Sequence, residues 1–388
     1  MRITHYFYKM RLEGGGPVRG VLDLTAALRR AGHDVRLATT DDRDVPAAWK
    51  AGAAEWPRVA RLAPPALPGG LFSPSQRRML REAFDGSDVV HLHGVWTPSN
   101  AQVARVCREL RTPYVWSIRG TLDDWCMGER ALKKRAFLAL GTRKTLESAA
   151  FCHLTAEDEL RQARKWFPRG RGVVIPNLLD LAPFRTLPGP EEARSRFPLL
   201  RAGRPALLFL SRLHYKKGVP VLIEAAAVLR RQGVEVSVLI AGSGEPEYEA
   251  RLRELIRREG LEDRVELVGF VSGALKLSLY QACELFVLPT SQENFGFVLF
   301  ESLACGTPLV TTRGVDTWPE LEASGGAVIV EAGASAVAES VRSLLRDRDR
   351  LAPMGESGRR WVFENLDPER IVTSFIGMYE KAARGVVA

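Results

Sequence analysis

At 388 residues, 46% apolar and 26% charged, the chain has the composition of a globular protein of two ordinary domains, and no run of about 18 apolar residues is present to form a membrane-spanning helix. Five cysteines, at 107, 126, 152, 283 and 305, are odd in number and include no close pair, which argues against a zinc site or a disulfide framework and suits a reducing cytoplasm. The net charge of +9 is uneven, +10 over residues 1–181 and −1 over the rest, so the two halves are expected to face different partners, or one half an anionic surface; an arginine-rich composition alone would account for the charge but not for its asymmetry.

The opening MRITHYFYKMRLEGGG carries Arg2, Lys9 and Arg11 and lacks the apolar segment of a signal peptide. ITHYFY (3–8) reads as a strand, and GGG at 14–16 as a turn into a helix from Pro17 to Ala31, where Val18, Val21, Leu22 and Leu28 have helical spacing. DVRLATT (34–40), SDVVHLHG (87–94), TPYVWSIRG (112–120), AFCHLT (150–155) and GVVIPN (172–177) follow as strands with helical segments between them. They are apolar on both faces, as a buried parallel sheet requires. Residues 178–203, proline-rich and without a sustained period, read mainly as a linker. The alternation restarts with strands at 205–211, 235–242, 264–270, 284–290, 308–312 and 327–331. The expectation is two doubly wound, Rossmann-like α/β domains, 1–181 and 182–367, facing each other across a cleft, with ligands at the carboxyl ends of the strands.

Three stretches of the second half carry chemistry. In LFLSRLHYKKG (208–218), Arg212 follows a strand and Lys217 opens a helix, a pair of cations beside unpaired amides suited to a diphosphate. In AGSGE (241–245), Gly242 and Gly244 allow close backbone approach to a ligand, although any βα turn can use glycine. In SQENFGFVLFESLACGTPLV (291–310), Glu293 and Glu301 lie among apolar residues, where an unpartnered carboxylate is costly, so surface charge is a poor account of them. Glu293 falls in a loop, and Glu301 falls one turn into a helix running from Phe297 to Ala304. The amides of Gly296, Phe297 and Val298 are open to phosphate oxygens or sugar hydroxyls. Glu301 is suited to a ribose diol, the task of the acidic residue in a Rossmann site.

The E-x7-E spacing followed by SLACGTPLV resembles the signature of family-four retaining glycosyltransferases of the GT-B fold, of bacterial polysaccharide-assembly type. The resemblance includes GGGPVRGVLDLTAALRRAGHDV, VIPN (174–177), SRLHYKKG (211–218) and AGSGE. It implies sugar transfer from a nucleotide-diphosphate donor, UDP- or GDP-linked, with retention and with neither metal nor other cofactor. The residues matching Arg212 and Lys217 would neutralise the leaving diphosphate, helped by the amides of Gly15 and Gly16. The one matching Glu293 would position the sugar and the one matching Glu301 would hold the ribose. The last helix, from Pro368 within 368–388, would return to the first domain, as its Ile371, Val372, Phe375, Ile376 and Tyr379 suggest. Asp347 and Asp349 in RDRDR read as a solvated helix end rather than a metal site.

The first half departs from that family pattern. Where the family has a histidine, YVWSIRGTLDDW (114–125) places Arg119, similar to the RG-x-L-x-x-W segment of a bacterial subgroup. Arg119 is expected either to meet an anionic group of a substrate or to pair with Asp123 or Asp124. Of His91 and His93 in HLHGVW only one is expected to face the cleft; His93 is the candidate for an acceptor-side group, with a packed histidine as the alternative. ERALKKRAFLALGTRKTLESAAF (129–151) reads as a basic amphipathic helix, with Leu132, Ala136, Ala139, Leu140 and Leu146 as its apolar side. It either docks on anionic lipid, as a polyprenyl-diphosphate-linked saccharide acceptor would explain, or simply covers the sheet. No nucleic-acid motif accompanies the charge. The function expected is therefore a cytoplasmic, peripheral glycosyltransferase of surface-polysaccharide synthesis; the rivals are a GT-B nucleotide-sugar epimerase and an inactive GT-B scaffold.

Overall fold

The computed structural model describes residues 1–12 and 15–385; Gly14, the first glycine of the GGG turn, and the last three residues of the 368–388 segment lie outside the described residues. The chain forms two compact units, one made of Met1–Leu179 and the segment from Pro368 onward, the other of Asp180–Asp367.

The first unit is built on strands β1 (Arg2–Tyr6), β2 (Asp34–Thr39), β3 (Arg58–Arg61), β4 (Val89–His93), β5 (Tyr114–Ser117), β6 (Phe151–Leu154) and β7 (Gly172–Val174), all parallel, in the order β3-β2-β1-β4-β5-β6-β7. Six of the seven follow from apolar runs in the sequence. The seventh, β3, is a short edge strand with an arginine at each end and no apolar signal. Register decides what gathers in the middle. His5 pairs with His91, His93 with Ser117, and Ser117 with His153, so these five polar side chains share one face of the sheet. The helix Pro368–Ala383 covers that face with Ile371, Phe375, Met378 and Tyr379.

The second unit repeats the plan with β8 (Ala206–Leu210), β9 (Ser237–Ala241), β10 (Val265–Gly269), β11 (Leu285–Leu288), β12 (Leu309–Thr312) and β13 (Ala327–Val330), parallel, in the order β10-β9-β8-β11-β12-β13. The stretch 178–203 is not a mere linker. From Asp180 it belongs to this unit as short helices at Ala182–Arg185 and Glu191–Arg196, which bury Phe184, Ala193 and Phe197. The amides of Gly189 and Ala193 donate to Gln281 Oε1 and Ser278 Oγ, which ties the stretch to the helix Gly273–Ala282. Few large apolar residues suffice there, so the periodicity is too weak to see in the sequence.

Phe375 is the anchor of the last helix, its ring 4.9 Å from His153 and 6.1 Å from Tyr379. Phe375→Ala is expected to lower stability by about 3–5 kcal/mol in denaturant unfolding, whereas Ser374→Ala, on the exposed face of the same helix, should leave the midpoint within error.

Candidate functional site

In the second unit the strand order reverses between β8 and β11, the position at which a doubly wound sheet leaves a crevice at its carboxyl edge. Lys217 and Glu293 meet there. Lys217 ends the single turn Tyr215–Lys217 after β8, and Glu293 lies in the loop after β11; their side chains form a close ion pair, 10% and 22% exposed. The backbone holds both in place. The carbonyl of Lys216 accepts from the Ser291 amide (2.7 Å) and from Thr290 Oγ1 (2.8 Å). The Glu293 amide donates to Gly314 O (2.8 Å), and the Glu293 carbonyl accepts from Asp316 N (2.9 Å). Gly296, at φ 71°, then turns the chain into the helix Phe297–Ala304; a Cβ at this position would lie 2.6 Å from Leu299 Cδ1. No side chain caps this helix, so the first-turn amides of Phe297 and Val298 have no capping partner.

Glu301, in the second turn, is paired as well. Lys276 Nζ donates to its Oε1 at 2.8 Å, and Tyr280 Oη lies 3.2 Å from Oε2 and 3.1 Å from Val298 O. Burial first, and then the Glu301 charge, hold the Tyr280 phenol well above its usual range, so it remains a donor. Each glutamate of the pair thus has its own lysine. The sequence reading missed Lys276 and Tyr280; the available signal was a lone lysine on an otherwise apolar helix, SGALKLSLY.

At Gly242, φ 140°, and Gly244 the side a Cβ would occupy is filled by neighbouring backbone, Ser211 O at the first and Leu213 O at the second, because the turn carrying Arg212 packs directly on them. Gly218, likewise, gives way to Pro289 O. These glycines let three neighbouring turns close on one another, which places exposed Arg212 on the same turn as Lys217. In the first unit, the amide of Gly15, the residue preceding the helix Gly16–Arg30, is already used by Leu12 O at 2.8 Å. Of the two glycine amides expected to meet a diphosphate, that of Gly16, the first helical residue, remains a candidate for a ligand.

Arg119 is 7% exposed and adopts a left-handed backbone, φ 57°, followed by Gly120 at φ 68°. Asp123 caps the helix Asp124–Gly128 through Cys126 N, and Asp124 pairs with Lys165, so neither forms the salt bridge the sequence allowed. Arg119 donates to neutral acceptors instead, from Nε to His93 Nδ1 (3.3 Å) and from Nη1 to Asn177 Oδ1 (3.2 Å), Asn177 being the last residue of VIPN. Burial lowers its pKa to about 10, against the raising influence of Glu159, so it is a cation at neutral pH. Glu159 is fully buried and accepts from the amides of Gly120 and Thr155, both at 2.6 Å, which fixes the turn after Arg119. The sequence presented Glu159 only as one of several acids in EDEL.

His91 and His93 do not divide between faces. Residues two apart on a strand share a face, and their rings are 4.2 Å apart. Both are buried, and His93 has both nitrogens engaged, by Arg119 and by His5 Nδ1 (3.0 Å), which makes it a packed histidine and removes it as a base. Donor directions follow from the partners. Arg119 only donates, so His93 carries its proton on Nε2 and donates to His5. His153 Nε2 donates to Ile175 O (2.8 Å), so Ser117 Oγ donates to His153 Nδ1 (2.6 Å), His91 Nε2 to Ser117 Oγ (2.7 Å), and Tyr379 Oη to His91 Nδ1 (2.7 Å). His5, His91 and His93 could each offer a ligand atom within 4.8 Å of the others, a grouping invisible in the sequence. All of their ring nitrogens but one, the buried and unpartnered His5 Nε2, are committed to hydrogen bonds, and the group stands beside the Arg119 cation, a poor setting for a second cation.

Two family models match the chain: the one described as glycosyl transferases group 1 over residues 191–361, and the one described as glycosyl transferase 4-like domain over residues 15–178. An alpha-D-kanosaminyltransferase of Streptomyces kanamyceticus is 36% identical over 166 residues, and the matched stretch spans only 42% of each chain. A D-inositol 3-phosphate glycosyltransferase of Kineococcus radiotolerans is 27% identical over 379 residues, 90% of this chain and 86% of its own. Among solved structures, HepE of Anabaena in complex with UDP superposes with a TM-score of 0.78 at 20% identity, covering 98% of this chain and all of its own.

The histidine cluster sets the acid stability of the first unit. Burial lowers His5 and His153 to about 3 and holds His91 and His93 well below their usual value of 6.5. Below pH 6.5 the unfolded chain takes up protons that His5 and His153 in the folded unit refuse until near pH 3. Stability complete above 6.5 is therefore lost as pH falls, by about 2 kcal/mol at pH 5 for each of these two, with His91 and His93 acting in the same direction. A melting temperature that stays level between pH 7.5 and 5 would contradict this arrangement.

Proposed function

The chain belongs to the family-four glycosyltransferases of GT-B fold, and from that premise we propose that it transfers a sugar, with retention, from a UDP- or GDP-linked donor to a saccharide or a polyprenyl-diphosphate-linked saccharide in surface-polysaccharide synthesis. The observation that carries the reading is the pair of lysine–glutamate contacts at the reversal of the second sheet, Lys217 with Glu293 and Lys276 with Glu301. On this reading the second unit holds the donor. Arg212, Lys217 and the amides of Gly296, Phe297 and Val298 meet the diphosphate, and Glu293, released from Lys217, accepts from sugar hydroxyls. Glu301, oriented by Lys276 and Tyr280, takes the ribose diol, and the exposed ring of Phe270 beyond β10 offers a stacking surface to the base. UDP is favoured over GDP by the complex formed by HepE.

As the bond from the anomeric carbon to the diphosphate oxygen breaks, charge grows on that oxygen, where Arg212 and Lys217 oppose it. The acceptor oxygen bonds to the anomeric carbon on the same face, and its proton passes to the departing phosphate oxygen. Fixed cations supply the charge a divalent metal would otherwise supply, and the reaction is proposed to need none. The first unit holds the acceptor at the inner face of the plasma membrane, where Arg119 meets an anionic group of a substrate. A buried cation with no carboxylate partner among the described residues, on a left-handed backbone, is the kind of strained feature that clusters at functional sites. An epimerase would need a proton-moving group at the sugar ring, and His93 is not free for that task. A scaffold would have little reason to keep both lysine–glutamate pairs.

Thermal shift and donor hydrolysis across UDP-, GDP-, ADP- and TDP-sugars, with and without EDTA, test the reading. One donor should stabilise the protein and be slowly hydrolysed regardless of EDTA; no stabilisation by any of them would overturn it, and loss with EDTA would overturn metal independence. Lys217→Ala and Glu293→Gln are expected to lower kcat by about 100-fold or more, whereas Glu301→Gln should chiefly raise the donor KM. Arg119→Lys should raise the acceptor KM; unchanged acceptor kinetics would remove Arg119 from the site.

A further inference from the structure

The basic segment at 129–151 takes no part in this chemistry. It folds as a helix Ala131–Phe137, a wide turn Leu138–Thr142 in which Leu140 and Gly141 leave helical geometry, and a helix Arg143–Glu147. Its inward face closes the core. Leu138, Thr142, Thr145 and Leu146 are buried, Phe137 lies 5.7 Å from the Trp96 ring, and Lys134 holds the Cys126 carbonyl. With that work done, the outward face of a surface helix should be polar. Instead Leu132 and Leu140 are 84% and 87% exposed, more than any other large apolar side chain described, with Ala136 and Ala139 exposed between them. Of the apolar side expected from the sequence, only Leu146 turns inward.

The charge on this face is equally unsatisfied. Several surface arginines elsewhere pair with a carboxylate on their own helix, as Arg19 does with Asp23 and Arg78 with Glu82. Arg130, Lys133, Arg135, Arg143 and Lys144 are all exposed, and none forms an ion pair among the described residues. Where the helix ends, Glu147, paired with Arg169, and Ser148 line a cavity of about 540 Å³ to which three other segments bring Arg108, Arg111, Arg171 and Lys381, which form no ion pair among the described residues. Exposed leucines and crowded cations are both unfavourable in water, and a single occupant relieves both. The cationic surface continues beyond the helix, which fits an extended anionic sheet of headgroups better than a compact acidic protein.

We propose that the segment 131–147 is a membrane anchor, Leu132 and Leu140 entering the acyl boundary of a bilayer while the flanking cations meet anionic phospholipid headgroups. The proposal deepens the reading of a lipid-carried acceptor and rests on it for its purpose, but its test needs neither donor nor acceptor.

The full chain is sedimented with vesicles of phosphatidylglycerol mixed with phosphatidylcholine, and with phosphatidylcholine alone. Binding is expected only to the anionic vesicles. Leu132→Ser with Leu140→Ser should weaken it by about tenfold or more, and Arg135→Glu with Arg143→Glu should weaken it comparably and flatten its salt dependence. Nucleotide-sugar hydrolysis in solution should not change in either variant. No binding by the parent chain overturns the anchor, and undiminished binding by the leucine variant overturns insertion. If the leucine variant loses self-association and no vesicle binding exists, the face belongs between copies of the chain and the proposal fails. Absence of hydrolysis in every form would sink the enzymatic reading while leaving the vesicle result intact.

Discussion

A parallel sheet with right-handed crossovers places its two runs of helices on opposite faces, and where the strand order reverses, the connections leave in opposite directions. Both units depend on that geometry. In the second, it leaves the carboxyl ends of β8 and β11 side by side with no crossover between them, so a lysine following one strand can reach a glutamate following the other. In the first, the reversal falls between β1 and β4 and brings His5 against His91. The side chains singled out for chemistry hang on these two reversals or on the turns packed beside them.

The two units handle buried charge in different ways. The second satisfies each glutamate directly, with a lysine as a salt-bridge partner. The first buries an arginine among neutral acceptors and keeps the carboxylate of Glu159 one turn away, where it binds amides rather than the guanidinium. A directly paired arginine would have little attraction left for a substrate anion, whereas one balanced at a distance keeps its donors' affinity while remaining oriented.

The strands were legible because each sheet is covered on both faces and its strands read as unbroken apolar runs; β3, flanked by arginines at the edge, gave no such sign. Arg212, Lys217, Glu293 and Glu301 were legible as residue types out of keeping with their surroundings. Their partners were not, because pairing is decided by register and topology: Lys276 stands 25 residues from Glu301, and Tyr379 stands 288 from His91. The glycines of AGSGE show in the sequence only that a side chain is missing; that the backbone of Ser211 and Leu213 takes its place is visible only in the fold. The helix at 131–147 shows the same limit, for its apolar positions were plain but the direction they face was settled by the competing inward claims of Phe137, Leu138 and Leu146.

One further consequence lies in Gly20. A Cβ there would come within 3.2 Å of Arg119 Nη1 and 3.5 Å of Asn177 Oδ1, so the helix rests on the guanidinium with nothing between. Positions 20, 119 and 177 therefore form a single unit of variation, although more than fifty residues separate each from the next. A histidine ring at 119, being smaller, would leave space at 20 for a side chain, whereas with arginine there even a methyl group requires the guanidinium to yield by a few tenths of an ångström. Covariation of the first and second of these positions would record, across the family, which members adopted the buried cation.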